Sequence, residues 1–233
     1  VANIIFSIWR DFDRKPENIW IQKKYRKWKP TLEEKQREYA YRCGANYRMY
    51  VVDKITDFAT IQFMKILIAE QLTNEYDKVL YLDLDVLPQT DINFFEYHDK
   101  NFDKVLCHRT LSPRWKIYQK KLMLSLSDVS SSPHNICNTG VLGLSKKSAE
   151  SLNFSLNEKL IDKEFPEMEP NNEIWLSYLI EKNRVPFHDI GIGWNFIVDN
   201  NYKAITAGCH FLHMSNLMFD SVLQSLYPYV EHP

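Results

Sequence analysis

The segment "YDKVLYLDLDVLPQ", Tyr76 to Gln89, constrains this chain more than any other. Val79, Leu80, Tyr81 and Leu82 form an unbroken apolar run. Such a run reads as a strand covered on both faces, the pattern of a parallel sheet with helices on each side. It ends in Asp83 and Asp85, one residue apart. Burying a carboxylate is costly unless a positive group meets it, and two side by side repel. Residues i and i+2 of a strand share a face, so both carboxylates converge as the strand opens into a loop. Hard oxygen donors at that spacing suit Mg²⁺ or Mn²⁺. The competing reading is an aspartate pair that caps the turn before Pro88.

The surroundings of this run read as alternating strand and helix. "NIIFSIW" (Asn3–Trp9) is a first buried strand. "TLEEKQREYAYRCG" carries a Thr31 to Glu34 capping pattern and ends at Gly44, which predicts a helix. "YRMYVVD" (Tyr47–Asp53) is a second strand. "DFATIQFMKILIAEQLTNEY" places Ile61, Met64, Ile68 and Leu72 on one helical stripe, with Asp57 as N-cap. The expected class is α/β, and ligands of such sheets bind beyond the carboxyl ends of the strands, where Asp83 and Asp85 lie.

Composition narrows the class. With 233 residues, 45% of them hydrophobic, the chain has mass for a real core, and no linker or repeat divides it. One domain over 1–233 is expected. A net charge of −1 argues against a chain built as a whole for nucleic acid. Cys43, Cys107, Cys137 and Cys209 lie far apart, which fits free buried thiols in a cytoplasmic setting better than zinc ligands or disulfides. The apolar start is broken by Arg10 and Asp11, too soon for a membrane span. "NFS" at Asn153 matches a glycosylation sequon, a triplet common by chance.

Further motifs follow the aspartate pair. They are "CNTGVLGLSKKSAE" with Asn138 and Gly140, "NNEIWLSYLI", "IGWNF" with Trp194 and Asn195, and "FLHMSN" with His213. In this order the segments resemble the GT-A glycosyltransferases, especially the glycogenin and galactosyltransferase-like group, over roughly Ile61–Asn216. The departures are local. Asn216 stands where that group has Gly, no Lys-Pro-Trp follows, Asn171 and Asn172 stand where carboxylates are frequent, and the first strand lacks the usual Asp and Tyr. The chain reads as a small, divergent member.

The resemblance implies a GT-A fold, with a mostly parallel, Rossmann-like central sheet and flanking helices. It also implies transfer of a sugar from a nucleotide sugar, UDP preferred, to a glycan or other hydroxyl acceptor, with Mn²⁺ or Mg²⁺ as cofactor. Asp85 is expected to ligate the metal. Asp83 is expected to meet the metal, the ribose hydroxyls, or both. A late histidine completes the set, with His213 favoured over His210. Lys65, inside an apolar stripe, is expected to face the donor phosphates or the first aspartate, or else to snorkel at the stripe's edge. Asn138 is expected at a donor-sugar hydroxyl or bonded only to backbone. Ser7, Arg10, Leu84, Gly140 and Trp194 complete the expected substrate-binding set.

Cleaving a sugar–diphosphate bond leaves negative charge on the diphosphate, which a divalent cation meets as it develops. The sugar carbon becomes oxocarbenium-like. An inverting reaction needs a carboxylate to take the acceptor's proton, for which Glu173 is the first candidate and Asp189 the second. A retaining reaction needs neither. Glu173 would otherwise serve only the first turn of its helix.

Two other classes stay open at this point. A DxD at a strand end also occurs in haloacid-dehalogenase phosphatases, although here it follows the third strand and Leu87 stands where Thr or Val is usual. "IWIQKKYRKWKP" (Ile19–Pro30) interleaves basic and aromatic residues, which suits a mobile segment, a lid facing phosphate or glycan, a peripheral membrane contact, or single-stranded nucleic acid.

Overall fold

In the computed structural model, residues 2–10, 19–52, 58–109, 137–155, 172–198, 208–214 and 219–228 are described. The expected N-cap Asp57, the motif residues Asn171 and Asn216, and the side chain of Ile61 lie outside them.

Strand β1 (Asn3–Arg10) is buried through its centre and pairs in parallel with β2 (Asn46–Val52) and with β3 (Lys78–Leu82). Beyond β3 lie β6 (Cys137–Ser145), antiparallel to it, then β5 (Val105–Arg109) and β7 (Phe187–Asp189). The sheet order is β2-β1-β3-β6-β5-β7, and only β6 runs against the rest. The mostly parallel α/β sheet predicted from the apolar runs is therefore present. Helix α2 (Phe58–Leu72) packs on β3, the one-turn α3 (Phe94–Tyr97) follows β4 (Val86–Pro88), and the short α4 (Lys146–Leu152) and α5 (Asn172–Lys182) pack on β6. A second, three-stranded sheet joins β4, β9 (Phe211–His213) and β8 (Phe196–Ile197), in the order β4-β9-β8.

Helix α1 corrects one expectation. It spans Ile19–Arg42 and runs through Pro30, rather than starting at Thr31. An interior proline costs about 3 kcal/mol. Trp28 and Leu32 flank it and are fully buried, each contributing about 2–3 kcal/mol. The buried stripe continues through Gln36, Tyr39 and Ala40. Burial on one side thus outweighs the lost hydrogen bond, and Pro30 sits on the exposed side. Helix α6 (Phe219–Leu226) packs against α1, where Asp220 accepts from Trp28 Nε1 at 2.7 Å and meets Lys24 and Lys27. In the basic segment Lys24 and Lys27 thus meet Asp220 and Lys29 meets Glu33, and Trp28 is unavailable for stacking on a base.

All four cysteines are buried and free. Asn153 of the sequon takes a left-handed conformation, φ 52°, as the C-cap of α4. No helix among the described residues is long and apolar enough to cross a membrane.

His98 sits among Phe94, Tyr97, His188 and Trp194, 2% exposed. Neither ring nitrogen has a partner among the described residues. Burial, with His188 and His210 nearby, lowers its pKa to about 4. The unfolded chain, titrating near 6.5, then binds the proton more readily. The contribution of a neutral His98 to stability is therefore present above about pH 6.5 and is lost as pH drops towards 4. His98→Phe should remove about 2–3 kcal/mol of the loss between pH 7 and pH 4.5. Denaturant midpoints of both proteins at the two pH values check this, and equal losses refute it.

Candidate active site

The aspartate pair lies on a tight turn. β3 ends at Leu82, and Val86 N–H donates to Asp83 O at 3.0 Å, so residues 83–86 reverse direction before β4. The two carboxylates converge through this turn rather than by strand alternation. Four hydrogen bonds hold it. Asp83 N–H donates to Gly140 O at 2.8 Å, Met214 N–H donates to Asp85 O at 2.9 Å, and the Gln36 amide donates to the carbonyls of Asp83 and Val86 at 3.0 and 2.8 Å. The Gln36 amide oxygen accepts from Ser7 Oγ at 2.6 Å and Tyr47 OH at 3.1 Å. Ser7 is fully buried, so the structure places it behind the turn rather than on a substrate face. Leu84 likewise packs inward, with Trp9, Trp28 and Leu32.

Because β4 leaves directly from the turn and pairs with β9 in the register Val86↔His213, it brings His213 beside the aspartates. His213 Nε2 lies 3.6 Å from Asp85 Oδ1 and 3.9 Å from Asp83 Oδ2. The second oxygen of each carboxylate is held by the protein. Asp83 Oδ1 accepts from Tyr81 OH and from Lys65 Nζ at 3.3 Å, and Asp85 Oδ2 accepts from Tyr25 OH at 2.9 Å. One ligand atom from each of Asp83, Asp85 and His213 lies within 4.8 Å of the others, the one such group among the described residues. Burial raises the Asp85 carboxyl above its usual range and Asp83 adds to this, opposed by His213 and Tyr25. Two hard oxygens and an imidazole nitrogen, one carboxylate almost buried, fit a divalent cation.

His210 is not brought to this group. It lies three residues before His213, on the other face of the strand. Its ring stacks on Trp194 with centroids 4.2 Å apart, and its Nδ1 lies 3.3 Å from Thr90 Oγ1. Trp194 is 2% exposed within that aromatic cluster, so it faces the core, and its neighbour Asn195 faces the site. Lys65, 4% exposed, is a buried partner of Asp83 rather than a snorkelling residue. Arg10 closes β1 at the same sheet end, and its carbonyl accepts from Gln22 Nε2.

The β6 segment lines the other side. Register slips between β5 and β6: Cys107 faces Leu142 while His108 faces Asn138. The extra residues, Thr139, Gly140 and Val141, belong to β6, and Gly140 O among them accepts from Asp83 N–H of the turn, as bulges beside active sites do. Gly140 is required there. A Cβ on it would sit 2.3 Å from His213 Cε1 and 2.6 Å from Nδ1. Asn138 Nδ2 donates to Glu173 Oε1 at 2.9 Å, which also accepts from Thr139 N–H at 3.3 Å. Burial raises the Glu173 carboxyl, opposed mainly by Lys65 and the Thr139 N–H. Asp189 is engaged elsewhere, accepting from Gly191 N–H at 2.9 Å, His108 at 3.2 Å and Arg109 N–H at 3.3 Å. Burial would raise its carboxyl, and these donors outweigh that and hold it low. It organises the loop before Trp194.

Residues 13–157, more than half of the chain, match glycosyl transferase family 8. The chain belongs to this family. It is a glycosyltransferase of the GT-A fold. Among solved structures, a glycosyltransferase involved in glycosylation of the major capsid protein of PBCV-1 is similar at TM-score 0.61 and 18% identity, covering 97% of this chain and 100% of that one. The galactosyltransferase LgtC, in complex with donor and acceptor sugar analogues, is similar at TM-score 0.55 and 15% identity, covering 92% and 87%. Mouse xyloside xylosyltransferase 1 is similar at TM-score 0.54 and 13% identity, covering 92% and 98%. No curated protein sequence matches.

Proposed function

We propose that this glycosyltransferase moves a sugar from a nucleoside-diphosphate sugar, UDP before GDP, to a hydroxyl of a glycan or similar acceptor. We read residues 1–233 as one catalytic domain, with Mn²⁺, and Mg²⁺ second, held by Asp83, Asp85 and His213. The observation that supports this reading is the division of labour at each carboxylate, one oxygen engaged by Tyr81 and Lys65 or by Tyr25, the other turned to His213 Nε2. Such a cation supplies Lewis-acid stabilisation of the departing diphosphate. Lys65 adds a fixed positive charge beside Asp83. Asn138 and Glu173 face the site from β6 and α5, where a donor sugar beyond the cation would lie.

Ligands that bind only the folded state raise its apparent stability. UDP, GDP and their sugar conjugates are therefore to be screened by thermal shift with Mn²⁺ and with chelator. At a UDP concentration of about 100 times its Kd the expected stabilisation is about 2.7 kcal/mol, and it should vanish in chelator. Equal shifts in Mn²⁺ and chelator would refute the metal-dependent reading.

A further inference from the structure

We propose that Asn195 is a positioning residue that fixes the His213 imidazole as its Nδ1–H form, with the Nε2 lone pair turned between Asp83 and Asp85. This inference rests on the metal reading given under Proposed function. Its ground is a chain of hydrogen bonds whose direction is set independently. Asn195 is fully buried, in the bend between Trp194 and β8. Its Oδ1 lies 2.8 Å from His213 Nδ1, and its Nδ2 donates to Asn138 Oδ1 at 2.7 Å.

An amide has one accepting and one donating end, and exchanging the two would reverse every role along the chain. Two groups oppose that exchange. Gly140 N–H only donates, and it points at Asn138 Oδ1 at 3.1 Å. Glu173 Oε1, already accepting from Thr139 N–H, accepts from Asn138 Nδ2 at 2.9 Å. The Asn138 oxygen therefore faces Asn195, so Asn195 presents its NH₂ to Asn138 and its oxygen to His213. An amide oxygen accepts only, so the proton of a neutral His213 sits on Nδ1. Nε2 keeps its lone pair, and it is Nε2 that lies near Asp85 Oδ1 and Asp83 Oδ2.

The ring is also clamped in place. Gly140 leaves room for its Cε1 and Nδ1 edge, and the backbone of His213 is locked by Val198 N–H on its carbonyl at 2.9 Å. Partners of this kind, bonded to the far nitrogen of a ligating histidine, set its tautomer and orientation. Here the partner is a neutral amide, whose own orientation is set by Asn138 and, beyond it, Glu173.

The first test needs no variant and no metal. Long-range ¹H–¹⁵N correlation of the histidine-labelled, metal-free protein, recorded at a pH where the ring is neutral, should show the neutral His213 protonated at Nδ1 alone. Protonation at Nε2 would overturn the proposal. The second test titrates Mn²⁺ by its electron paramagnetic resonance signal. Asn195→Leu should lose roughly 10- to 100-fold in Mn²⁺ affinity and show mixed tautomers. Asn195→Asp keeps an acceptor for the His213 N–H while losing the bond to Asn138 Oδ1, and should retain the Nδ1–H form, with Mn²⁺ affinity nearer to wild type than that of Asn195→Leu. Loss of affinity in both variants with the Nδ1–H form intact in both would assign Asn195 a purely structural role and overturn the proposal. If Asn195→Leu fails to fold, the wild-type tautomer and the Asn195→Asp titration decide. A wild-type protein that binds no Mn²⁺ but carries Nδ1–H would overturn the metal reading and leave the tautomer assignment supported, so the two failures are distinct.

Discussion

Asp85→Asn is expected to abolish metal-dependent donor binding while making the metal-free protein more stable. Loss of a residue that merely orients a metal ligand costs roughly 10- to 100-fold in affinity, so replacing a ligand carboxylate should cost at least about 10²-fold. UDP affinity in Mn²⁺ should fall towards its value in chelator. The gain in stability has a separate cause. Asp85 is buried beside Asp83, and burial pushes its carboxyl up, so its charge is disfavoured in the metal-free fold. An amide keeps the shape and the bond from Tyr25 and removes the repulsion. Calorimetric UDP titration with Mn²⁺ and with chelator, together with thermal unfolding of the apo protein, measures both effects. Retained Mn²⁺-dependent UDP affinity would remove Asp85 from the metal set.

The same residues show how far the sequence alone could lead. The apolar run into Asp83 and Asp85 was legible because a strand covered on both faces leaves a continuous signature. The order of the later motifs pointed to His213 and Asn138, and the structure brings His213 beside the aspartates and bonds Asn138 to Glu173 and Asn195. The partners that hold this arrangement were not legible. Gln36 reaches the carbonyls of Asp83 and Val86 from α1, and Tyr25 reaches Asp85 from the basic and aromatic stretch of the same helix. Those contacts depend on where α1 crosses the sheet, which no local pattern encodes. α1 itself was read short because Pro30 and the Thr31–Glu34 pattern imitate a helix start, whereas burial of Trp28 and Leu32 carries the helix through.

In "GWNF" the conspicuous residue misled. Trp194 is large and aromatic and drew the substrate role, yet it packs against Phe94, His210 and Phe211. The small polar Asn195 beside it faces the site. The bonds of Asn195 to His213 and Asn138 show which of the two does so, and no local pattern encodes them. Ser7 was expected in the substrate-binding set, and its hydroxyl is used by Gln36. A strand position gives the sheet end a residue occupies, and packing decides whether its side chain meets a ligand or a neighbour.

Glu173→Gln is expected to lower sugar transfer by roughly 10²- to 10⁴-fold, the range for one general base, with Mn²⁺ and donor affinity nearly unchanged. The substitution isolates charge. A glutamine oxygen still accepts from Asn138 Nδ2 and Thr139 N–H, so the amide chain to Asn195 and His213 keeps its direction. What is lost is a carboxylate whose pKa is raised by burial and restrained by Lys65. A carboxyl moved towards neutral pH is better matched to proton transfer than one held low. Asp189 is the control. Its carboxylate is committed to Gly191, His108 and Arg109, so Asp189→Asn should cost stability through the loop before Trp194 and spare the chemistry. Transfer rates at saturating donor, donor hydrolysis without acceptor, and the anomeric configuration of the product are the measurements. A product inverted relative to the donor, with transfer lost in Glu173→Gln, would assign Glu173 as the base. A product of retained configuration would exclude that role, because no base is then needed opposite the leaving group, and any loss would reflect the missing charge near the oxocarbenium-like carbon. Near-normal transfer by Glu173→Gln would leave Glu173 only its bonds to Asn138 and Thr139.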